Sequence, residues 1–512
     1  MATLAQPQAT TAPSGRNRVL AGLMLTMALA AMDATIVATA IPSIVHDLGG
    51  FSLFAWVFSI YLLAQAVTIP AYGKLADLFG RKPILMAGTV VFLLGSVLSG
   101  VAWNMVALIA FRGIQGLGAS AVQATTTTLA GDLYTLEERG RVQGWLSSVW
   151  GVAAIIGPAI GGFFAEYATW RWIFYLNVPI GAAALLMIGR YLHEQIEPHH
   201  RRIDYAGAAL LVVGTGLLIL GLLTGGVNWG WWSGPSLAIF AGALIALAAF
   251  GWQETRADEP LLPPWVFSRR LLVGANLAGV VLGGLTIGLS TFLPTYAQDV
   301  LGTDAVGAGF VLAGETVGWT LTAAISARFY LRLGFRDTAL VGVVTSCASA
   351  ALFVLLPVAA PAWVAALGCF IMGCGLGLLA TATIVGLQSV VGWTRRGVVT
   401  GANIFARNIG QAVGAAVFGG IANVTLAGWL RAAPPNLQGQ LPASINDASD
   451  LLHDGTRASA AALDYVRAGL ALAVHHVFIG LAVVAVAGLA VLLATPRHFA
   501  HLHFPDDPNE DL

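Results

Sequence analysis

Long apolar runs, separated by short polar segments, follow one another along almost the whole chain. The first run is Val19–Pro42, and Asp33 is its single charged residue. A hydrocarbon core about 30 Å thick requires about 20 apolar residues in a helix, and these runs are long enough. The pattern therefore predicts fourteen transmembrane helices, near 19–42, 54–72, 84–103, 105–130, 142–165, 172–191, 205–224, 235–253, 271–294, 306–327, 338–357, 362–388, 397–426 and 469–494.

Lysine and arginine are distributed unevenly between the two ends of these helices. With the amino terminus placed inside, 19 of the 25 lie at cytoplasmic ends, four lie at outer ends, and Arg112 and Arg407 lie within helices. Because these residues concentrate in the cytoplasmic loops of membrane proteins, the pattern predicts a multi-pass protein of the cell (inner or cytoplasmic) membrane. Both termini are expected in the cytoplasm.

Two polar cytoplasmic loops, 193–204 and 254–270, bracket helices 7 and 8. The predicted layout is therefore an N-terminal six-helix bundle (1–192), a two-helix insert with its flanking loops (193–270) and a C-terminal six-helix bundle (271–512). The outer segment 427–468 is rich in Pro, Asn, Asp and Ser. We expect this segment to be partly disordered or weakly helical near Arg457–Arg467, and His475 and His476 to open helix 14.

Composition agrees with a membrane protein and excludes several classes of function. The chain is 57% hydrophobic and only 10% charged, whereas a soluble protein carries about 25% charged residues. Zero net charge argues against a nucleic-acid partner. Cys347, Cys369 and Cys374 lack the spacing of a metal site, and no metal or other cofactor is expected. Neither lysine belongs to a phosphate-binding loop, which leaves an ion gradient as the energy source, and the lack of a catalytic constellation argues against an enzyme.

Two charges in the first half are predicted to lie at the same depth in the membrane. Helix 4 starts near Asn104, so Arg112 lies about 12 Å inside, close to the level of Asp33. Gln115 follows on the same face as Arg112. An aspartate that moves between apolar surroundings and the neighbourhood of an arginine can take up and release a proton. The alternative is a static ion pair that serves only packing.

The second half also contains one acid and one base near the midplane, Glu315 in helix 10 and Arg407 in helix 13. Trp319 lies one turn from Glu315, and an indole beside an acid suits a lipophilic cation. The predicted proton-coupling residues are Asp33, Arg112, Glu315 and Arg407. The residues predicted to line a cavity between the halves are Tyr61, Gln65, Gln115, Glu315, Trp319, Asn403, Arg407 and Gln411.

Four motifs in chain order resemble those of the major facilitator superfamily. Gly73–Lys82 resembles the G-x-L-a-D-r-x-G-r-k loop between helices 2 and 3, and Arg112–Gly118 resembles the R-x-x-Q-G-x-G motif of helix 4. Gly157–Gly162 resembles the antiporter motif of helix 5, and Met32–Val37 resembles the first-helix motif of the fourteen-helix drug:proton antiporters. The resemblance implies two six-helix bundles with two additional helices between them, which rock about a central site.

The resemblance also implies which residues gate the two faces. Asp77 is expected to meet the amino terminus of helix 13 near Gly397, and Arg81 to pair with Asp132. In the second half Leu331 stands where an aspartate is expected, so that loop is degenerate. The predicted gating residues are Gly73, Asp77, Gly80, Arg81, Asp132, Gly157, Pro158, Gly161 and Gly162.

The resulting hypothesis is a monomeric antiporter of the lipid bilayer that exports lipophilic, cationic small molecules in exchange for protons. Asp33 is expected to be the main proton-coupling carboxylate. One alternative is a proton-coupled exporter of a specific metabolite or lipid. Others are an importer, a channel or a membrane-embedded enzyme, but the helix 5 motif speaks against import.

Overall fold

A computed structural model of the chain describes residues 13–49, 54–194, 204–225, 229–303, 305–357, 360–435, 437, 441, 459–497 and 499. Within these ranges the protein is helical, and fourteen helices are long and apolar enough to cross a membrane. This confirms the predicted all-α membrane class and the number of helices. The agreement follows from the hydropathy of the runs, since a membrane-spanning backbone must satisfy its hydrogen bonds within each segment.

The membrane-spanning helices are labelled α1–α14 in chain order. They are Pro13–Leu48 (α1), Phe54–Phe79 (α2), Arg81–Gly100 (α3), Met105–Leu133 (α4), Leu136–Tyr167 (α5), Trp172–Tyr191 (α6), Tyr205–Thr224 (α7), Gly234–Glu254 (α8), Arg270–Thr295 (α9), Ala305–Leu333 (α10), Phe335–Val354 (α11), Ala362–Ser389 (α12), Arg396–Arg431 (α13) and Ala460–Ala494 (α14). Two segments, Trp172–Tyr175 and Asn177–Tyr191, make up α6, and α9 continues into a π-helical turn, Tyr296–Val300.

Several helices are longer than their apolar runs. The polar first turn of α5 is helical because Thr135 and Glu138 form a capping box. Similarly, α14 begins at Ala460, where Ser459 caps its first turn. The prediction that His475 and His476 open this helix is therefore wrong, because both residues lie well inside it.

Both ends of the outer segment 427–468 are helical, because α13 continues to Arg431 and α14 starts at Ala460, within the stretch where a weak helix was predicted. The two helix ends pack on each other. Trp429 stacks on Tyr465 at 5.2 Å between ring centroids, Trp429 Nε1 donates to the Tyr465 carbonyl, and the Tyr465 hydroxyl donates to the Trp429 carbonyl. Positions 436, 438–440 and 442–458 of this segment lie outside the described residues.

The first six and the last six helices repeat one packing scheme. In the first set, α1 packs on α5 and α6, and α4 packs on α2 and α3. In the last set, α9 packs in the same way on α13 and α14, and α12 packs on α10 and α11. The two sets meet along two seams, α2 against α13 and α5 against α10. Each seam therefore joins one helix of each set.

Helices α7 and α8 pack on each other beside the first of these seams. Ile219 of α7 lies in one apolar cluster with Ala66 and Val67 of α2 and with Ala412 of α13. Helix α7 therefore touches both sets of helices at the α2–α13 seam.

The turns at Gly80 and Gly334 lie at the same end of the molecule, which we call the latch face. Both glycines have positive φ, 93° and 88°, a backbone conformation that a side chain disfavours. At the opposite face, Arg171 and Trp170 both donate hydrogen bonds to Asp47 Oδ2, at 2.7 and 3.0 Å. These two bonds hold the pKa of Asp47 below its usual value and tie the end of α1 to the α5–α6 connection.

Candidate functional site

A buried ion pair lies within the first six helices. Arg112 Nη1 on α4 donates to Asp33 Oδ2 on α1 at 2.5 Å, and the two residues are 0% and 2% exposed. Gln115 connects them, because its Nε2 donates to Asp33 Oδ1 at 2.8 Å and its Oε1 accepts from Arg112 at 2.8 Å. The structure thus brings together three residues that the sequence placed at one depth. We call Asp33, Arg112 and Gln115 the α1–α4 network.

The remaining face of the Arg112 guanidinium is covered by Tyr61, whose ring centroid lies 4.2 Å away. Tyr61 is buried among Leu29 and Phe92 of the first six helices. It was predicted to line the cavity between the halves, and in this structure it does not. The aromatic face serves instead as a partner for a buried cation, and Gln115, also predicted for the cavity wall, is fully buried in the α1–α4 network.

The α1 and α5 motifs are in direct contact. Thr35 Oγ1, two residues after Asp33, donates to the Ala153 carbonyl of α5 at 3.0 Å. A Cβ atom on Gly157 would lie 2.0 Å from the same hydroxyl, so this position requires glycine. A Cβ on Gly162 would meet nothing within 4 Å, and close helix crossing does not explain that glycine. Gly161 and Pro158 also lie in α5, where Gly161 is buried.

The last six helices do not reproduce the ion pair. Glu315 on α10 is 7% exposed and makes no hydrogen bond or ion pair with any described residue. Arg407 on α13 has a buried Nε atom without a hydrogen-bond partner. The two side chains are not paired, because they stand on helices with different neighbours: α10 packs on α12, and α13 packs on α9.

The other residues predicted for the cavity are placed as follows. Asn403 Nδ2 donates to the Ala275 carbonyl of α9 at 2.9 Å, which directs this side chain into the last six helices. Gln65 Nε2 donates to Gln123 Oε1 at 3.1 Å, which directs it toward α4. Trp319 and Gln411 are half-buried. Helical spacing defined a stripe of residues on each helix, but it could not define which neighbouring helix that stripe faces.

On the latch face, Asp77 at the end of α2 binds the first turn of α13. Its Oδ1 accepts from Gly397 N at 2.9 Å and its Oδ2 accepts from Val398 N at 2.8 Å. A carboxylate at a helix amino terminus satisfies unpaired N–H groups and interacts favourably with the helix dipole. The backbones also touch here, since a Cβ on Gly73 would lie 2.5 Å from the Gly397 carbonyl oxygen.

Arg81 lies at the centre of this contact and is fully buried. It donates to Asp77 at 2.7 Å and to Asp132 at 2.9 Å, and thus holds two carboxylates of the first six helices. It also donates to the Trp393 carbonyl at 2.6 Å, and its guanidinium lies 3.7 Å from the centroid of the Trp393 ring. Arg396 completes the ring of charges through a 2.9 Å bond to Asp132. We call these contacts, from Asp77 to Arg396, the latch.

Sequence reasoning missed Trp393 and Arg396. The available signal was a Trp-Thr-Arg-Arg-Gly stretch just before the helix that Asp77 was expected to meet. The second seam is also joined at this face, because the Tyr330 hydroxyl of α10 donates to the Leu136 carbonyl of α5. The latch face is therefore closed in this structure. Among the described residues, no group of three His, Cys, Asp or Glu side chains could hold a metal ion.

Comparison with known proteins gives consistent results. The Major Facilitator Superfamily matches residues 23–415. Multidrug resistance protein 3 of Bacillus subtilis (strain 168) is 35% identical over 448 residues, 86% of this chain and 86% of that protein. The multidrug transporter protein MdtP of the same strain is 34% identical over 410 residues, 80% of this chain and 76% of that protein.

A solved structure shares the fold. The crystal structure of the human organic anion transporter MFSD10 (TETRAN) matches 94% of this chain and 100% of its own, with a TM-score of 0.62 at 15% sequence identity. The helical arrangement described above is thus that of a known transporter structure.

Replacing Asp77 with Asn should shift the protein away from the state with a closed latch face. The variant loses the carboxylate on the helix dipole, which contributes about 0.3–1 kcal/mol, and up to about 2 kcal/mol when partly buried. The closed-to-open ratio of the latch face should fall several-fold. Spin-label distances across the latch face, in a background without the three cysteines, would measure it. Asp337→Asn is the matched control, because among the described residues Asp337 forms its ion pair with Arg497, which follows α14 of the same half. An unchanged distance distribution in Asp77→Asn would contradict the role of the latch.

Proposed function

The chain belongs to the Major Facilitator Superfamily, and from this membership we propose that it exports lipophilic, cationic small molecules in exchange for protons. Members of this family are transporters and not enzymes, and the fourteen helices make this one a multi-pass membrane protein. Two relatives carry multidrug transport or resistance in their names and align over most of the chain. We infer that this protein likewise handles several drugs.

The observation that carries the proposal of proton coupling is the α1–α4 network. Both of its charges lie in membrane-spanning segments, where an unpaired charge costs at least about 2.5–3.5 kcal/mol. Protonation of Asp33 removes the charge that Arg112 binds, so one proton changes the attraction between α1 and α4. A carboxylate that is paired when ionised and released when protonated is suited to load and unload a proton between two states.

Helix α1, which carries Asp33, is linked through α5 to the second half. Thr35 binds α5 at Ala153, and α5 in turn touches α10, where a Cβ on Gly151 would lie 2.6 Å from Thr316. Thr316 directly follows Glu315. We propose that protonation of Asp33 affects Glu315 through a shift of α5 against α10. Contact between helices does not by itself establish such coupling, so the coupling is tested by measuring transport.

Glu315 supplies the preference for cations in this proposal. It is a buried acid without a basic partner among the described residues, and Trp319 stands one turn further along α10. A cationic group of the substrate would provide the missing countercharge, and the indole would contact its apolar part.

The latch face is assigned to the cytoplasm, with both termini, in the cell membrane. Basic residues such as Lys74, Arg139 and Arg396 stand at helix ends on this face, as cytoplasmic segments require. The motif in α5 that resembles those of antiporters favours export over import. The exporter is proposed to act as a monomer.

Replacing Asp33 with Asn should abolish uphill export but leave downhill exchange of substrate. The amide keeps the size and polarity of the carboxylate but cannot bind or release a proton at this site. Substrate–substrate exchange and proton-driven uptake into proteoliposomes would be measured on the same preparation. Asp47→Asn, at the exposed outer end of α1, serves as the control and should retain both activities. Uphill transport by Asp33→Asn at the rate of the unaltered protein would contradict the assignment.

Replacing Glu315 with Gln should weaken the transport of cationic compounds more than that of neutral ones. The expected loss for a cation is at least tenfold in apparent affinity, about 1.4 kcal/mol, since a buried countercharge is removed. Competition between a cationic dye and a neutral compound of similar size would measure the ratio. Arg407→Gln removes a charge of opposite sign and should not reduce the preference for cations. An equal loss for both compounds in Glu315→Gln would place Glu315 on the proton path instead.

A further inference from the structure

The first turn of α3 is capped by a residue from a different part of the chain. Gly80 precedes this helix and offers no side chain, so the first N–H groups lack a local acceptor. Glu194, which follows α6, takes that place. Its Oε1 accepts from Arg81 N at 2.9 Å and its Oε2 accepts from Lys82 N at 2.8 Å.

The capping is reciprocal. Lys82 Nζ, in the first turn of α3, donates to the Gly189 carbonyl at 2.8 Å and to the Leu192 carbonyl at 2.7 Å. These carbonyls lie at the carboxyl end of α6, where they lack partners within the helix and where a cation is favourable. We call the mutual capping by Glu194 and Lys82 the α3–α6 clamp.

The clamp acts on the same residue that forms the centre of the latch. Glu194 holds the backbone amide of Arg81, while the guanidinium of Arg81 holds Asp77, Asp132 and the Trp393 carbonyl. A side chain with this many fixed partners requires its own backbone to be fixed. The clamp contributes two such contacts from outside the latch, at the backbone amides of Arg81 and Lys82.

The second half keeps part of the clamp and has lost the latch. Arg336 stands two residues after Gly334, as Lys82 stands after Gly80, and it donates to the Leu492 carbonyl at 3.0 Å and the Leu493 carbonyl at 3.3 Å, at the end of α14. Leu331 and Phe335, however, occupy the positions of Asp77 and Arg81. The Arg336 contact is thus related to the clamp, but the residues at the positions of Asp77 and Arg81 are not charged gating residues that it could position.

We propose that Glu194 and Lys82 are positioning residues for the latch: they set the closed-to-open ratio of the latch face by fixing Arg81. The proposal rests on the transport function proposed above and on the rocking of the two bundles that the family resemblance implies, but neither on the direction of transport nor on protons. A merely structural clamp would tie α3 to α6 in every state and would leave the ratio unchanged.

The closed-to-open ratio of the latch face, from spin-label distances in a background without cysteines, tests this directly. Glu194→Gln should lower the ratio about two- to five-fold, as expected for the loss of a charge at a helix amino terminus. Lys82→Gln should lower it in the same direction, and Lys82→Arg should retain it. Arg336→Gln, the matched control, breaks the related contact of the second half and should leave the ratio unchanged. Thermal unfolding of each variant in detergent reports any general loss of stability.

Two outcomes with the single variants would overturn the proposal: an unchanged ratio in Glu194→Gln, or an equal shift in Arg336→Gln. A double variant with Asp77→Asn gives a further test, because two changes that act through one latch should together shift the ratio less than the product of their separate effects. A shift of the ratio equal to that product would contradict the claim that Glu194 and Asp77 act through the same latch. If Asp77→Asn alone has no effect, the latch itself fails, whereas an effect of Asp77→Asn without one of Glu194→Gln overturns only the clamp.

Discussion

A charge held inside an apolar medium needs a partner, and this requirement explains both the α1–α4 network and the latch. Asp33 and Arg112 satisfy each other in the membrane interior, and Asp77 and Arg81 satisfy each other and the first turn of α13 where the seam closes. Removing one member of a buried pair costs about 3–5 kcal/mol, because the other charge is left uncompensated. A proton, a substrate charge or a helix end can replace a partner at far lower cost. A conformational change in which a buried charge exchanges one partner for another therefore avoids the cost of leaving that charge unpaired.

The two halves share their packing and differ in their charges. Equivalent helices meet in equivalent pairs, and both halves turn at a glycine of positive φ on the latch face. The first half carries a complete ion pair and the latch residues Asp77, Arg81 and Asp132. The second half carries an acid and a base that do not meet, Glu315 and Arg407, and hydrophobic residues in place of the latch charges. We propose that the first half holds the proton site and that Glu315 of the second half binds the cationic group of the substrate.

Hydropathy was sufficient to predict the helices, since length and apolar content decide what spans a bilayer. Depth along the helices was sufficient to pair Asp33 with Arg112. The direction of Tyr61 could not be predicted, because helical periodicity defines a face but not its neighbour. The contact of Arg81 with Glu194 joins residues 113 positions apart, and that of Arg81 with Trp393 joins residues 312 apart. Such contacts depend on the packing of whole helices, which a single sequence does not display. Likewise, capping rather than hydropathy fixed the start of α14.

The central claim is that the energy of a proton gradient drives the drug across the membrane. The most direct test uses proteoliposomes that contain only this protein and have an acidic lumen in a neutral medium, with a fluorescent lipophilic cation outside and the membrane potential clamped. Since protons leave the lumen as the drug enters, the account predicts that the dye accumulates inside above its external concentration and that dissipating the pH gradient releases it. Dye that only equilibrates, or that accumulates equally without a pH gradient, would contradict the account.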